Sequence, residues 1–165
     1  MPRIRAASSA FSLIELMVAL AVLAILVSIA APSFANLLRS QHLQAAGSEW
    51  LSLTAYARSE AIRRSHAIRI VASDAGFRML DASSAEVLRE WRQADVSTQL
   101  SGADELRFEP PLGSLAVAEA CVRLDHSSVA GYRRLLYLGR AGTQQIYVPG
   151  SGAAVPAKVS SLCGV

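Results

Sequence analysis

The sequence predicts an α+β protein, in which a long N-terminal helix, membrane-spanning at first, packs on a C-terminal antiparallel β-sheet domain. Three observations predict this: an apolar run long enough to cross a bilayer, an amphipathic helical pattern after it, and short alternating segments over the remainder. We therefore expect four segments: a leader at residues 1–10, a transmembrane helix at 11–31, a further part of the same helix at 32–65, and a β-rich domain at 66–165.

The apolar run from Phe11 to Ala31 reads FSLIELMVALAVLAILVSIAA and contains one charged residue, Glu15. About 20 apolar residues cross a bilayer as a helix, and this run reaches that length. Arg3 and Arg5 precede it, and positively charged flanks stay on the cytoplasmic side of the membrane. We therefore expect a single-pass protein of the bacterial inner membrane, with everything after the run in the periplasm.

Three interpretations compete for this N-terminal region: a secretory signal peptide cut after the small residues of Ser28-Ile29-Ala30, a plain membrane anchor, or a leader followed by an assembly helix. Glu15 favours the third. A carboxylate within an apolar run costs about 2.5–3.5 kcal/mol on insertion scales, and neither a signal peptide nor a plain anchor needs one.

The residues from Ala10 to Glu15, AFSLIE, resemble the type IV prepilin signature, in which a prepilin peptidase cuts after a small residue and before an aromatic one. The resemblance implies cleavage between Ala10 and Phe11, methylation of the new N-terminus, and Glu15 as the fifth mature residue. The family usually has Gly before the cut, and this chain has Ala10 instead. The resemblance also implies that Glu15 pairs with the Phe11 amine, within one subunit or between neighbours, and so registers an incoming subunit. Such pairing is what makes a buried charge tolerable.

The helix is expected to continue past Pro32 with a kink, because a proline inside a helix removes one backbone bond without having to end it. One face of this second part is apolar at spacings of three and four residues, with Leu43, Ala46, Trp50, Leu53, Ala57 and Ala61. We expect the helix to end near Arg64 or Ser65. Its last residues, Ala57 to Arg64 (ARSEAIRR), resemble the end of the long helix in the GspH/FimT branch of minor pilins and pseudopilins.

After Ser65 the pattern changes to a period of two, which predicts strands separated by Gly and Pro turns. The expected strands are His66–Ala72, Phe77–Asp81, Val87–Trp91, Glu105–Glu109, Ala120–Asp125, Arg133–Leu138 and Gln144–Val148. One face of the sheet should pack on the helical stripe that contains Trp50 and Leu53. The GspH/FimT resemblance extends loosely into these strands.

Two cysteines, Cys121 and Cys163, lie far apart in this domain, without a Cys-x-x-Cys motif or a Cys/His cluster that would predict zinc. In the periplasm they can form a disulfide, and the alternative is two buried thiols. We expect the disulfide.

Nothing in the sequence predicts catalysis, a metal or a cofactor. Asp125, His126 and Ser127 are adjacent, whereas a catalytic triad is assembled by geometry rather than adjacency. His42 and His66 stand alone in the sequence, which favours surface or helix-end positions over a role as ligands. We therefore expect a protein that is not an enzyme.

One basic group could bind nucleic acid. Arg133, Arg134 and Arg140 surround a predicted strand and turn, and some FimT-type minor pilins bind DNA through a Gly-Arg-x-Arg loop. Here the corresponding residues are Gly139-Arg140-Ala141-Gly142, so the second Arg is missing. The formal net charge of +3, two of it from Arg3 and Arg5, is also small for a nucleic-acid binder.

These observations favour a minor pilin that primes a type IV pilus or forms its tip. The alternative is a GspH-type pseudopilin of a type II secretion system, and a DNA-binding minor pilin for transformation is less favoured. The resemblance implies other minor and major pilins or pseudopilins, the prepilin peptidase and an inner-membrane assembly platform as partners.

Overall fold

The computed structural model describes residues 12–73, 76–92, 95–127, 129, 131–152 and 154–165. The chain divides into two compact units, Met1–Leu38 and Arg39–Val165. The expected leader and the cleavage site between Ala10 and Phe11 lie outside the described residues.

The first helix, α1, runs without interruption from Leu13 to Arg64 and contains Pro32. The predicted continuity through the proline and the predicted end near Arg64 are both confirmed. Two basic residues, Arg63 and Arg64, occupy the last turn, where positive charge offsets the partial negative charge of the exposed carbonyl groups. Ser65 then adopts a positive φ of 56°, a left-handed conformation that ends the helix.

In the part of the chain that the structure describes, nine strands and a short helix follow. They are β1 Ile68–Ser73, β2 Gly76–Asp81, β3 Val87–Trp91, β4 Val96–Ser101, β5 Leu106–Glu109, β6 Ser114–Leu115, β7 Glu119–His126, β8 Arg133–Gly139, β9 Gln144–Tyr147 and the helix α2 Ala157–Cys163. The strands form two sheets, in the orders β3-β2-β1-β5-β6 and β4-β7-β8-β9, and every pairing is antiparallel. The predicted α+β architecture, a long helix packed on an antiparallel β-sheet domain, is confirmed, and the strands of that domain divide into two sheets.

All seven predicted strands exist, with ends shifted by at most two residues, whereas β4, β6 and α2 were missed. In β4 the burial alternates only between half-buried and exposed positions, so its apolar signal is weak. β6 has two residues. α2 spans seven residues, too few for a local helical signal, and depends on tertiary contacts instead.

The core is built on the predicted stripe of α1. All six stripe residues are buried, and they pack against residues from both sheets, among them Ile70 of the first sheet and Leu136 of the second. Trp50 is fully buried, with its ring edge-on to Phe77 at 4.7 Å and to Trp91 at 5.6 Å between ring centroids. A buried side chain of this class contributes about 1.5–3 kcal/mol through removal from water.

A second, smaller core lies where α2 packs on β7. Cys121 and Cys163 form the expected disulfide, with a Cα–Cα distance of 5.4 Å, and Val159 and Leu135 pack beside it. The bond links residues 42 positions apart, for which the chain-entropy model gives about 3–4 kcal/mol of stabilisation. The disulfide therefore holds the C-terminal helix, rather than a final strand, on the sheet.

The end of α1 is held by an ion-pair network. Glu60 is buried and accepts hydrogen bonds from the guanidinium groups of Arg63 and Arg64, at 2.5–2.9 Å. Arg64 also reaches Glu86 at 3.0 Å and Asp81 at 3.5 Å, which ties the helix end to the β2–β3 connection. The ARSEAIRR segment is thus an anchor between the helix and the first sheet.

Two acidic groups at this end of the helix have depressed pKa values. Hydrogen bonds from Arg63, and then from Arg64, lower the pKa of Glu60 from 4.5 to about 2. Hydrogen bonds from the hydroxyl and backbone N–H of Ser83 lower the pKa of Asp81 from 3.8 to about 2. Because both folded-state values lie below the unfolded ones, their stabilisation is complete above about pH 5 and is lost as the pH falls toward 2.

We therefore expect Glu60→Gln to lower the free energy of unfolding at pH 7 by about 1–3 kcal/mol, since hydrogen bonds to a charged group are lost. In the same variant, the free energy of unfolding should decrease less steeply between pH 5 and pH 2. The decrease that remains should come from protonation of Asp81. Urea unfolding of residues 39–165, followed by the fluorescence of buried Trp50 and Trp91, measures both effects. Glu90→Gln, on exposed β3, is the matched control. An unchanged acid slope in Glu60→Gln would contradict this account.

Candidate assembly site

The first turn of α1 carries the acidic residue that the sequence singled out. Glu15 lies two residues after the helix begins, within a Ser12-x-x-Glu15 pattern. The Ser12 hydroxyl accepts a hydrogen bond from the Ile14 N–H at 3.3 Å, and the Ser12 carbonyl accepts one from the Leu16 N–H at 3.1 Å. Ser12 therefore caps the helix, and the positive end of the helix dipole favours a carboxylate at the position of Glu15.

The side chains next to Glu15 are apolar and are not buried against any described part of the chain. Leu13 is 79% exposed, Ile14 70% and Leu16 54%. Within the described residues, α1 is the one helix long and apolar enough to cross a membrane, and its most apolar stretch has no residue buried inside the chain. Such a surface is stable only against lipid or against other apolar helices. The segment is therefore built to be covered by something outside this chain.

The proposed cleavage residues lie outside the described part of the chain, so the structure does not show the Phe11 amine. The cut between Ala10 and Phe11, and the pairing of that amine with Glu15, stay predictions. The structure shows that Glu15 stands in the first turn of the helix, which begins at Leu13.

The three arginines of the suggested DNA site are not gathered into one patch. Arg133 and Arg140 stand at opposite ends of β8, roughly 20 Å apart at the rise of a strand. The Arg133 guanidinium is bonded to Asp125 at 2.9 Å, and Arg140 donates to the Ala116 carbonyl at 3.1 Å. Arg134 follows Arg133 and so points to the opposite face of the strand. DNA binding stays a prediction with little support from this arrangement.

The Gly-Arg-x-Arg pattern would place its second arginine at position 142, where this chain has a glycine. Gly142 occupies that position with a φ of 102°, and the Arg58 guanidinium lies directly against it. Any side chain at position 142 would collide with Arg58, which donates a hydrogen bond to the Ala141 carbonyl at 3.2 Å. The alkyl stem of Arg58 also fills the space beside Gly113. Arg58 therefore fastens α1 to turns of both sheets, a role that no motif in the sequence indicates.

The adjacent Asp125, His126 and Ser127 do not form a triad. Asp125 accepts hydrogen bonds from Arg123 at 2.8 Å and from Arg133, so its carboxylate serves ion pairs. His126 instead lies parallel to His42, with the ring centroids 6.4 Å apart. Among the described residues, no group of three or more His, Cys, Asp or Glu side chains could hold a metal ion.

Comparison with known families gives two matches. Residues 46–163 match the family "Type II transport protein GspH", and residues 5–31 match the "Prokaryotic N-terminal methylation motif". The first covers more than half of the chain, and the second contains the apolar run together with Glu15. The methylation motif and the exposed apolar helix together fit an inner-membrane prepilin. No curated protein gives a significant match.

Two crystal structures of the type IV minor pilin FimU of Pseudomonas aeruginosa (strain PAO1) share the fold. The first matches with a TM-score of 0.54 and 26% identity, and covers 67% of this chain and all of that chain. The second, from another crystal form, has a TM-score of 0.53 and 23% identity, and covers 70% of this chain and 94% of that one.

The capped apolar helix with its acidic residue, the helix-anchored pair of sheets, and the family match over residues 46–163 lead to one conclusion. This chain belongs to the GspH family: it is a pilin-like structural subunit, a minor pilin or a GspH-type pseudopilin, and not an enzyme.

Proposed function

We propose that this chain is a minor pilin of a type IV pilus, one that primes assembly of the filament or forms its tip. It is cut between Ala10 and Phe11 by the prepilin peptidase and waits in the inner membrane with residues 39–165 in the periplasm. The assembly platform then inserts it beside other minor and major pilins. The observation that carries this proposal is Glu15, a carboxylate in the first turn of an apolar helix that nothing in the chain covers.

The chemistry supports assembly rather than simple anchoring. In a bundle of apolar helices the carboxylate of Glu15 needs a positive partner, because an unpaired buried charge is costly. The methylated amine that cleavage would create at Phe11 is such a partner. Its attraction for Glu15 falls off when an incoming helix is out of register, so the pair favours one position along the filament.

The pilus is preferred over secretion because the structural likeness is to FimU, a type IV minor pilin, and spans all of that chain. The second candidate is a pseudopilin of a type II secretion system. The observation that favours it is the family model itself, described as type II transport protein GspH. The same processing and the same Glu15 chemistry would serve either system.

Deletion of the gene separates the two. For a minor pilin we expect fewer surface pili and lost twitching motility, with normal levels of secreted proteins in the culture medium, because only pilus initiation is impaired. Electron microscopy counts the pili, and gel analysis of the medium measures secretion. Restoration by a plasmid copy of the chain is the control. Normal piliation with secreted proteins retained in the periplasm would show a pseudopilin and overturn the proposal.

Replacement of Glu15 tests the assembly step itself. We expect Glu15→Ala to leave membrane insertion intact, since it removes a charge from the apolar run, yet to reduce the amount of chain in sheared filaments about tenfold or more. Immunoblots of membrane and sheared fractions measure both quantities. Glu90→Ala, at an exposed position of β3, is the matched control and should assemble normally. Normal incorporation of Glu15→Ala would remove the registering role.

A further inference from the structure

A cavity of about 220 Å³ opens in the unit of residues 39–165, between α1, the start of β8 and the loop that follows β9. Leu43 forms part of the helix wall, Tyr132 and Arg134 part of the strand wall, and Pro149 and Ser151 part of the loop wall. Its described lining contains two arginines, Arg133 being the other, and no acidic residue.

The two arginines differ in their surroundings. Arg133 forms an ion pair with Asp125 on the neighbouring strand, a carboxylate that it shares with Arg123. Arg134 pairs across the sheet with Leu124, a core residue, and so lies on the face turned toward α1. Its Cδ is 3.9 Å from where a Cβ on Gly47 would be, which places its alkyl stem against the helix.

Within the described residues, the guanidinium group of Arg134 has no counter-charge. Its Nε is buried without a hydrogen-bond partner, and among the described residues no side-chain hydrogen bond or ion pair involves Arg134. Arg58 and Arg69 also have a buried, unpartnered Nε, but each uses another nitrogen, toward the Ala141 carbonyl and toward Glu105. A charged group partly removed from water without a partner is costly, so an anion from outside the chain would be stabilised here.

The cavity indicates the kind of anion. Its volume is below the roughly 300–1,000 Å³ of small-molecule pockets, and it suits a single side chain. Leu43, Tyr132 and Pro149 offer apolar contacts beside the cation, which match an aliphatic stem that ends in a carboxylate. The planar guanidinium of arginine can bind a carboxylate through two parallel hydrogen bonds.

The source of that carboxylate follows from the proposed function, on which this step rests. The helix that forms one wall of the cavity is the same α1 whose exposed apolar part must pack against other helices. We propose that the cavity receives an aspartate or glutamate side chain from a neighbouring pilin subunit, which pairs with Arg134 and orients the two subunits.

The test uses the full-length chain in cells that assemble filaments. Benzoylphenylalanine at Ser151, an exposed position of the cavity rim, is photoactivated, and the cross-linked peptide is identified by mass spectrometry. We expect a peptide of a pilin subunit that contains Asp or Glu. Arg134→Glu and the uncharged Arg134→Met should each reduce the adduct about tenfold or more, because loss of one partner of a buried charge pair costs several kcal/mol.

Two controls keep the result interpretable. Arg89→Glu, an equal charge change at an exposed position of β3, should leave the adduct unchanged. Changing the cross-linked acidic residue of the partner to Arg should restore the adduct in Arg134→Glu. Formation of the Cys121–Cys163 disulfide and resistance to protease identify any variant that fails to fold, and Arg134→Met then carries the test.

Any of four results would overturn the proposal. They are an adduct that does not depend on Arg134, a partner peptide without an acidic residue, an adduct with lipid or nucleic acid, and no adduct. These failures are distinct from a failure of the proposed function. If the chain is present in sheared filaments but gives no Arg134-dependent adduct, the cavity does not bind a neighbouring subunit. If the chain is absent from filaments, it is not a pilus subunit.

Discussion

A carboxylate within an exposed apolar helix is the constraint on which this protein depends. A charged residue at the centre of a membrane-spanning helix costs about 2.5–3.5 kcal/mol on insertion scales, and the apolar side chains beside Glu15 are unstable in water. The helix N-terminus reduces the cost, because its backbone N–H groups place partial positive charge beside the first turn. A partial charge stabilises a carboxylate by about 0.3–1 kcal/mol at most exposed sites, so a full positive partner is still needed. Such a helix is suited to move from the lipid bilayer into a bundle of similar helices.

The folded unit uses charge in two contrasting ways. At the end of α1, Glu60 is buried but fully bonded to Arg63 and Arg64, and Arg64 carries the connection on to Asp81. That network is complete within the chain and serves stability. Arg134 lies beside the same helix on the wall of a cavity, and no described residue supplies its counter-charge. The complete network is structural, and at the incomplete one we propose that a neighbouring subunit contributes.

The sequence predicted the elements whose signals are local and strong. The apolar stripe of α1 is periodic over five turns, so its spacing alone identifies the buried face that contains Trp50. β4 and α2 lack such a signal, because β4 is half-exposed and α2 is a short helix that depends on the disulfide through Cys163. The division into two sheets depends on pairings between distant segments, which no local pattern specifies. In the candidate assembly site, Glu15 is recognisable from the sequence as a charge within an apolar run. The contacts of Arg58 and Arg134 are not, because they form between segments that are distant in the sequence.

The most direct test of this account is the mass of the mature N-terminus. The pairing of Glu15 requires an amine one turn before it, and that amine exists only after removal of residues 1–10. Mass spectrometry of the chain purified from its own membranes should show an N-terminal peptide that begins at Phe11 and carries one added methyl group. A peptide that begins at Met1, or one that begins after Ala30, would contradict the account, because Glu15 would then have no terminal amine beside it or would be absent.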